Sequence, residues 1–348
     1  MGTYIVRRLL LMIPTFIGIT FIAFTVMRIV PGGPVEQAIL QYQAMMQGAG
    51  GGEVGGGGDV TSAQSGQLSD EMIMELKKIY GFDKPFYIAY MEWLWRLMHF
   101  DMGESYQYQE PVWDVIASRF PVSLFFGGIG FILAYLICVP LGVWKAVKHM
   151  SAFDWGTSAL VFAAYSVPGW AAGVVLLVLF GGGSYWNVFP LGGWQSMDYE
   201  MLSFWGKVAD RAHHAVLPIF CYVLGSFATT TVLMKNSLME NLAQDYVRTA
   251  FAKGMSERVV IFKHALKNSL IPIATGLGHI FSVLLAGSYL IEKVFNINGF
   301  GLLGYMSLLS RDYPVTLGIL VIASLLRLVG NLTSDMIYAV VDPRIRFK

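Results

Sequence analysis

The residues best placed to do chemistry lie in the last apolar run, where Ser324, Arg327, Asn331 and Asp335 recur at intervals of three and four. That spacing puts them in one stripe on a helix face. An ionisable side chain inside a membrane-length run is costly, so it marks a function or a partner. Arg327 and Asp335 are two turns apart, about 12 Å along the axis at 1.5 Å per residue, so they can meet only through a bridge such as Asn331. The stripe reads either as the polar wall of a translocation path or as an interhelical contact. His213 and His214 stand beside Asp210 and Arg211. A metal site needs further ligands at fixed spacing and no H-E-x-x-H occurs, so an interfacial polar pair is expected there. Gly182, Gly183 and Ser184 form half of a G-x-S-x-G nucleophile elbow, but Trp186 replaces its last glycine, which leaves a turn. No acid, base and nucleophile converge. The chain is not expected to be an enzyme or to bind a cofactor or metal of its own.

What must position these residues is a membrane bundle. The chain is 55% hydrophobic and only 14% charged, with a mean hydropathy of +0.56, values outside the range of soluble domains. Six apolar runs, at 9–27, 122–144, 155–180, 215–234, 271–291 and 315–340, are each long enough to cross a core of about 30 Å. The expected fold is all-α with six spans. Pro168, Pro218 and Pro272 fall in or at the start of three runs, which membrane helices tolerate when neighbours satisfy the freed carbonyls. Gly127, Gly130, Gly142, Gly173, Gly276 and Gly287 would allow close helix contact. Cys138 and Cys221 lie in apolar runs and read as buried thiols rather than a disulfide framework. The first run is too long for a signal peptide and lacks a small-residue cleavage site.

Three parts follow: 1–30, tail and first span; 31–120, an insert; and 121–348, a five-span core. Pro31, Gly32, Gly33 and Pro34 end the first helix. The glycine-rich tract 48–66 has nothing to bury and is expected to be mobile. It has no Lys to complete a G-x-x-x-x-G-K-[ST] phosphate cradle. Beyond it, Ser69 or Asp70 would cap a helix with Met72, Leu76 and Ile79 on one face and Gly81 past its end. A further helix at 86–99 carries Trp93 and Trp95, with Phe100 beyond, aromatics suited to a membrane interface or to packing on the spans.

Charge fixes the expected orientation. With both termini inside, the inside segments hold Arg7, Arg8, Lys145, Lys148, Lys235, Arg248, Lys253, Arg258, Lys263, Lys267, Arg344, Arg346 and Lys348 against Asp154, Glu240, Asp245, Glu257 and Asp342. That excess obeys the positive-inside rule, so the insert 31–120 faces outward and the charged loop, within 236–270, faces the cytoplasm. In that loop DYVRTAFAKGMSERVVIFKHALKNSLIP is helix-prone apart from Gly254, where a glycine costs about 1 kcal/mol relative to Ala. Two short helices joined at Gly254 are expected. They form either a solvated loop or a docking element.

The chain resembles the permease subunits of ATP-binding-cassette importers for dipeptides and oligopeptides. The landmarks are RRLLLMIPT, VPGGP, LKKIYGFDKP, FDMGES, the charged loop itself, EKVFNINGFGLLG, SRDYPV and DPRIR, in the family's order and over nearly the whole chain. VPGGPVEQAI with its glycine insertion and LFGGGSYWNVFPLGG look most like the Yej subgroup, associated with uptake of peptides and microcin C. The resemblance implies a type I importer permease fold in the bacterial inner membrane, with no nucleic-acid partner. It also implies a second permease subunit, an ATPase with two nucleotide-binding domains that carries ATP and Mg, an extracytoplasmic binding protein, and a peptide substrate. The loop then corresponds to the family's EAA motif, the coupling helix that enters a groove on the ATPase. Arg248, Thr249 and Ala250 stand at the three named positions, Gly254 at the motif's glycine, His264 and Leu266 at its later apolar positions, and Lys267 at its proline, with Pro272 the nearest proline. The coupling residues implied are Asp245, Arg248, Thr249, Ala250, Lys253, Gly254 and Arg258. The motif's glutamate has no counterpart, so basic side chains pairing with acidic groups of the ATPase would replace it. Rival readings are a proton-coupled secondary transporter working through Arg327 and Asp335, which would favour internal repeats that the runs do not show, and an intramembrane hydrolase using His213, His214 or Ser184.

Overall fold

The computed structural model describes residues 2–49, 70–183, 185–277 and 288–341. Most of the glycine-rich tract, residues 342–348 with DPRIR, and Ser184 lie outside them. Most of the described residues are helical, and none of them forms a strand beyond two isolated bridges. Among the described residues, four helices are long and apolar enough to cross a membrane, or five if one bent pair counts as a span. Of the run 271–291, residues 278–287 lie outside the described set, so the sixth span rests on sequence.

The chain divides into two compact units, one built from residues 14–115 and 306–321, the other from 1–13, 116–305 and 322–348. The first contains most of α1 (Gly2–Ile29), then α2 (Pro34–Ala49), α3 (Asp70–Ile79), α4 (Phe86–Met98) and the greater part of α5 (Val112–Ala117). The described part of the insert is therefore largely helical. Gly81, φ +70°, stops α3 as expected.

Two landmarks far apart in sequence meet in this unit. Asp312, 1% exposed, caps α16 (Tyr313–Val341) by accepting from Val315 N at 3.4 Å. The same carboxylate accepts from Ser105 Oγ at 2.5 Å, Tyr106 N at 3.2 Å and Gln107 N at 3.3 Å. FDMGES and SRDYPV are the two halves of one clasp. Burial, with Asp312 close by, pushes the Tyr106 phenol up to about 12.

The second unit is organised on α6 (Phe120–Val147) and the 39-residue α9 (Phe204–Leu242). They approach closely because Gly142 has no side chain: a Cβ there would lie 2.6 Å from Met234 Cβ and 2.7 Å from the Thr231 carbonyl. Gly130 against Tyr222, Gly173 against Phe295 and Gly276 against Tyr135 are further close contacts of the kind expected; Gly127 is buried, and Gly287 lies outside the described residues. Cys138 and Cys221 are both buried. Pro140 and Pro218 sit inside their helices. Pro168 does more than the sequence reading allowed. Instead of being absorbed into one span over 155–180, it separates α7 (Ala152–Ser166) from α8 (Gly169–Phe180), and the two axes differ by 92°. Val167 before it is extended, φ −100° and ψ 118°, as a residue preceding proline prefers.

Glu292, in α14 (Tyr289–Val294), is 2% exposed and folds over the glycine turn that starts α15 (Phe300–Leu309). Its Oε2 accepts from Leu302 N at 2.6 Å. A Cβ on Gly299 would stand 2.5 Å from the carboxyl carbon. The motif EKVFNINGFG is thus an acid and the small residues that make room for it.

A buried donor left without its acceptor costs about 1–3 kcal/mol. Asp312→Ala is therefore expected to lower the thermal midpoint of the detergent-solubilised chain markedly, and Ser105→Ala, which keeps the helix cap, to lower it less. Equal midpoints for Asp312→Ala and the parent would remove the clasp.

Candidate functional site

The loop between α9 and the next apolar run forms two short helical pieces joined at Gly254, as its sequence suggests. First comes α10 (Asp245–Ala252). Gly254, at φ +75°, ends it in a left-handed turn. Gly254 N donates to Phe251 O at 2.9 Å and Met255 N to Ala250 O at 3.3 Å, the double bond pattern of a glycine-terminated helix. An L-residue there is strained by about 1–2 kcal/mol. A Cβ at Gly254 would meet nothing within 4 Å, so the constraint is torsional rather than steric. The second piece runs through α11 (Glu257–Val259), a π-helical stretch (Val260–Ala265) and α12 (Leu266–Ser269). Such wide turns recur at functional positions. It leads into α13 (Ile271–Leu277).

The loop has two faces. Val247, Ala250, Val260 and Ala265 are buried with Val143 and Ala146 of α6 and Met234 and Leu238 of α9. Burying one valine contributes about 1.5–3 kcal/mol, so this seat fixes the loop on the bundle. Ala250, one of the implied coupling residues, therefore faces the chain's own core. The other face exposes Tyr246, Phe251, Val259 and Phe262 among the exposed Arg248, Lys253, Arg258, Lys263 and Lys267. Thr249 is also exposed, and its hydroxyl donates to the Asp245 carbonyl at 2.9 Å. The Arg248–Asp245 pair, at 3.5 Å with both side chains in solvent, contributes little.

A buried ionic cluster lies at the base of the same helices. Lys145, 1% exposed, lies 3.1 Å from Asp154 Oδ1 and donates to Thr157 Oγ1 at 2.9 Å, Ser158 Oγ at 2.7 Å and the Asp154 carbonyl at 3.0 Å. Lys235 of α9 donates to both Asp154 oxygens at 2.8 and 2.7 Å. His149 Nδ1 is 3.3 Å from Asp154 Oδ2. One carboxylate thus joins the end of α6, the start of α7 and the lower part of α9. Sequence reading counted these residues only as loop charges.

The polar stripe of α16 divides. Asp335 pairs with Arg8 at 2.9 Å and accepts from Tyr4 Oη at 3.1 Å, so its counter-charge comes from α1 and not from Arg327 through Asn331. Arg327 and Asn331 are exposed on the surface of the chain. At the end where α9 begins, His213 and His214 both lie against backbone carbonyls. Asp210 accepts from Ser196 N at 3.0 Å and from its hydroxyl. His214 Nδ1 is 2.9 Å from the Asp210 carbonyl and His213 Nε2 2.8 Å from that of Val188. Arg211 is stacked between Trp194 and Tyr199, 4.2 and 4.5 Å from their ring centroids. These contacts tie residues 188–199 to α9. No group of three metal-ligating side chains occurs among the described residues.

A helical bundle with several helices of membrane length, which holds a basic, aromatic helical loop outside its apolar core, has the build of an integral membrane component. Residues 138–347 match the family described as binding-protein-dependent transport system inner membrane component. The chain is 42% identical over 361 residues to the peptidoglycan transport system permease protein YejB of Agrobacterium fabrum, covering all of this chain and 99% of that protein. It is 40% identical over 362 residues to the inner membrane ABC transporter permease protein YejB of Escherichia coli O157:H7, covering both completely. Against the oligopeptide transport system permease protein AppB of Bacillus subtilis the identity is 34% over 348 residues, again complete for both. The chain belongs to the inner-membrane permease family of binding-protein-dependent ABC transport systems, in its peptide branch. Membership implies work alongside a second permease, an ATPase and a substrate-binding protein.

Removing one partner of a buried ion pair costs about 3–5 kcal/mol, because the other charge is stranded. Asp154→Asn should therefore destabilise the chain more than Lys145→Met, which leaves Asp154 paired with Lys235. The double variant should lose less than the sum of the two. Additive losses in a thermal-unfolding cycle would show that the cluster is not one unit.

Proposed function

We propose that the chain is the permease half of an ATP-driven importer of peptides, and that the helical loop 245–269 docks in the ATPase. The observation that carries this reading is the two-faced loop: one face is packed into the bundle, so a push on the other reaches α6 and α9 directly. Asp245, Arg248, Lys253 and Arg258 supply charge on the docking side, Phe251 and Phe262 supply apolar contact, and Gly254 supplies the turn between the two pieces. Thr249 and Ala250 serve from within, one as a local hydrogen bond and the other as a seat. ATP and Mg belong to the partner, and both termini and the loop face the cytoplasm while the insert faces out. Hydrolysis would rock the two permeases between inward- and outward-open states.

Arg327 and Asn331 support a second part of this reading. A cation exposed toward acyl chains at mid-span costs about 2.5–3.5 kcal/mol, so the exposed face of α16 is turned toward the second permease and the translocation path. The pairing of Asp335 with Arg8 withdraws the acid that a proton-coupled alternative would use. The relatives' names point to peptides and to peptidoglycan, and the Yej likeness adds microcin C-like peptides as a cargo to test.

Phe251→Asp combined with Phe262→Asp should leave membrane insertion intact, abolish co-purification of the ATPase and stop peptide uptake. Gly254→Trp, whose side chain would enter open space on the docking side, should do the same. Coupled uptake at parental rates in either variant would rule out docking. Arg327→Ala should reduce uptake while the assembled complex is recovered in full, with Arg327→Lys restoring part of the rate; undiminished uptake by Arg327→Ala would remove it from the path.

A further inference from the structure

Helix α4 has three faces: one packed on α1, one charged, and one exposed and apolar, where Trp95 meets the ring of His99 at 4.7 Å. The first packs on α1. Tyr90 and Trp93 are buried; Tyr90 Oη lies 3.1 Å from Thr20 Oγ1 and donates to the Ile17 carbonyl at 3.2 Å. Phe86 meets the rings of Phe21 and Phe24 at 5.6 and 5.8 Å, and Trp93 meets Phe24 at 5.7 Å. The second face is polar, with Glu92 bonded to Lys84 at 2.6 Å and Arg96 beside it. The third is made of Tyr87, Met91, Trp95 and Met98, which are 67, 65, 62 and 60% exposed. Their spacing of four, four and three places them on one side of the helix.

The depth of α4 follows from α1. Between Arg8 and Arg28 that helix carries no charge, so Arg28 marks one edge of its apolar length. Arg28 Nη2 donates to the Gly81 and Lys84 carbonyls, each at 3.0 Å, and so holds the head of α4 at that edge. Thr20 lies eight residues further in, about 12 Å along the axis at 1.5 Å per residue. Tyr90 reaches it, so α4 enters the hydrocarbon depth instead of standing in water above it. At the same depth α1 turns Ile22 and Val26 outward, 64 and 53% exposed, and α4 continues that apolar surface.

We propose that α4 is embedded in the leaflet at the Arg28 end of α1, with Tyr87, Met91, Trp95 and Met98 against the acyl chains and Glu92 and Arg96 toward headgroups and water. An amphipathic helix with a wide apolar arc and a narrow charged one lies in an interface in this way. The segment after the first span is then not a soluble insert throughout. It carries a lipid-facing brace on α1.

The test is spin-label accessibility in the assembled transporter in phospholipid nanodiscs, with other cysteines replaced. Labels at Met91→Cys, Met98→Cys and Glu92→Cys are compared for collision with oxygen, which concentrates in the bilayer, and with a nickel chelate, which stays in water. Met91 and Met98 are expected to favour oxygen several-fold more than Glu92 does. Nickel access at Met91 and Met98 equal to that at Glu92 would place the face in water and overturn the proposal. Protection of both labels from both reagents would show a protein partner there and overturn it equally. Tyr87→Cys repeats the measurement should a methionine variant fail to insert.

Discussion

A carboxylate removed from water must be met by cations or by donors, and three such carboxylates hold the chain's junctions together. Asp154 gathers Lys145 and Lys235 where α6, α7 and α9 come together. Asp312 caps α16 and gathers the backbone of residues 106–107 together with Ser105. Glu292 closes the turn into α15. At Asp154 and Asp312 the cost of desolvation is offset by several partners at once, so each of these two sites tolerates one local geometry and resists others. Apolar packing between membrane helices is less discriminating, because lipid is as apolar as leucine. The acids supply the specificity that such packing lacks.

The charged loop inherits its position from one of these junctions. Lys235 lies two turns before the end of α9, and α10 begins three residues after that end. The Asp154 cluster fixes the helix and Val247, Ala250, Val260 and Ala265 fix the loop on it. What remains outside is a rigid basic and aromatic face. The glycine at 254 matters through torsion, and the π-helical stretch lets Phe262 stay outside while Val260 and Ile261 turn inward.

Much of this was legible in sequence for physical reasons. Four of the six apolar runs lie in helices long enough to cross a membrane, and the break at Gly254 follows from the one residue at ease with positive φ. The helix after the glycine tract and its stop at Gly81 followed from capping rules. The rest depended on contacts that spacing does not encode. Nothing local to Asp312 reveals that it bonds Ser105, 207 positions away. Arg327 and Asp335 share a helix face, yet Asp335 takes its cation from α1, and helical periodicity is silent about neighbouring helices. Ala250 stands at a position of the coupling motif, but which of two surfaces it contacts depends on how α10 rolls onto the bundle. The right-angle break at Pro168 was visible as a proline, whereas its size depends on what packs around it.

The most direct measurement is disulfide or short-range chemical crosslinking from single cysteines in the loop to the ATPase, in membranes of cells making the whole transporter. Cysteines at Phe251 and Phe262 should crosslink to the ATPase, with yields that change as ATP is bound and hydrolysed, while those at Val247 and Ala250 should not. Crosslinks from the buried positions, or none from the exposed ones in a complex that still imports peptide, would contradict the assignment of this loop as the point where ATP hydrolysis acts on the permease.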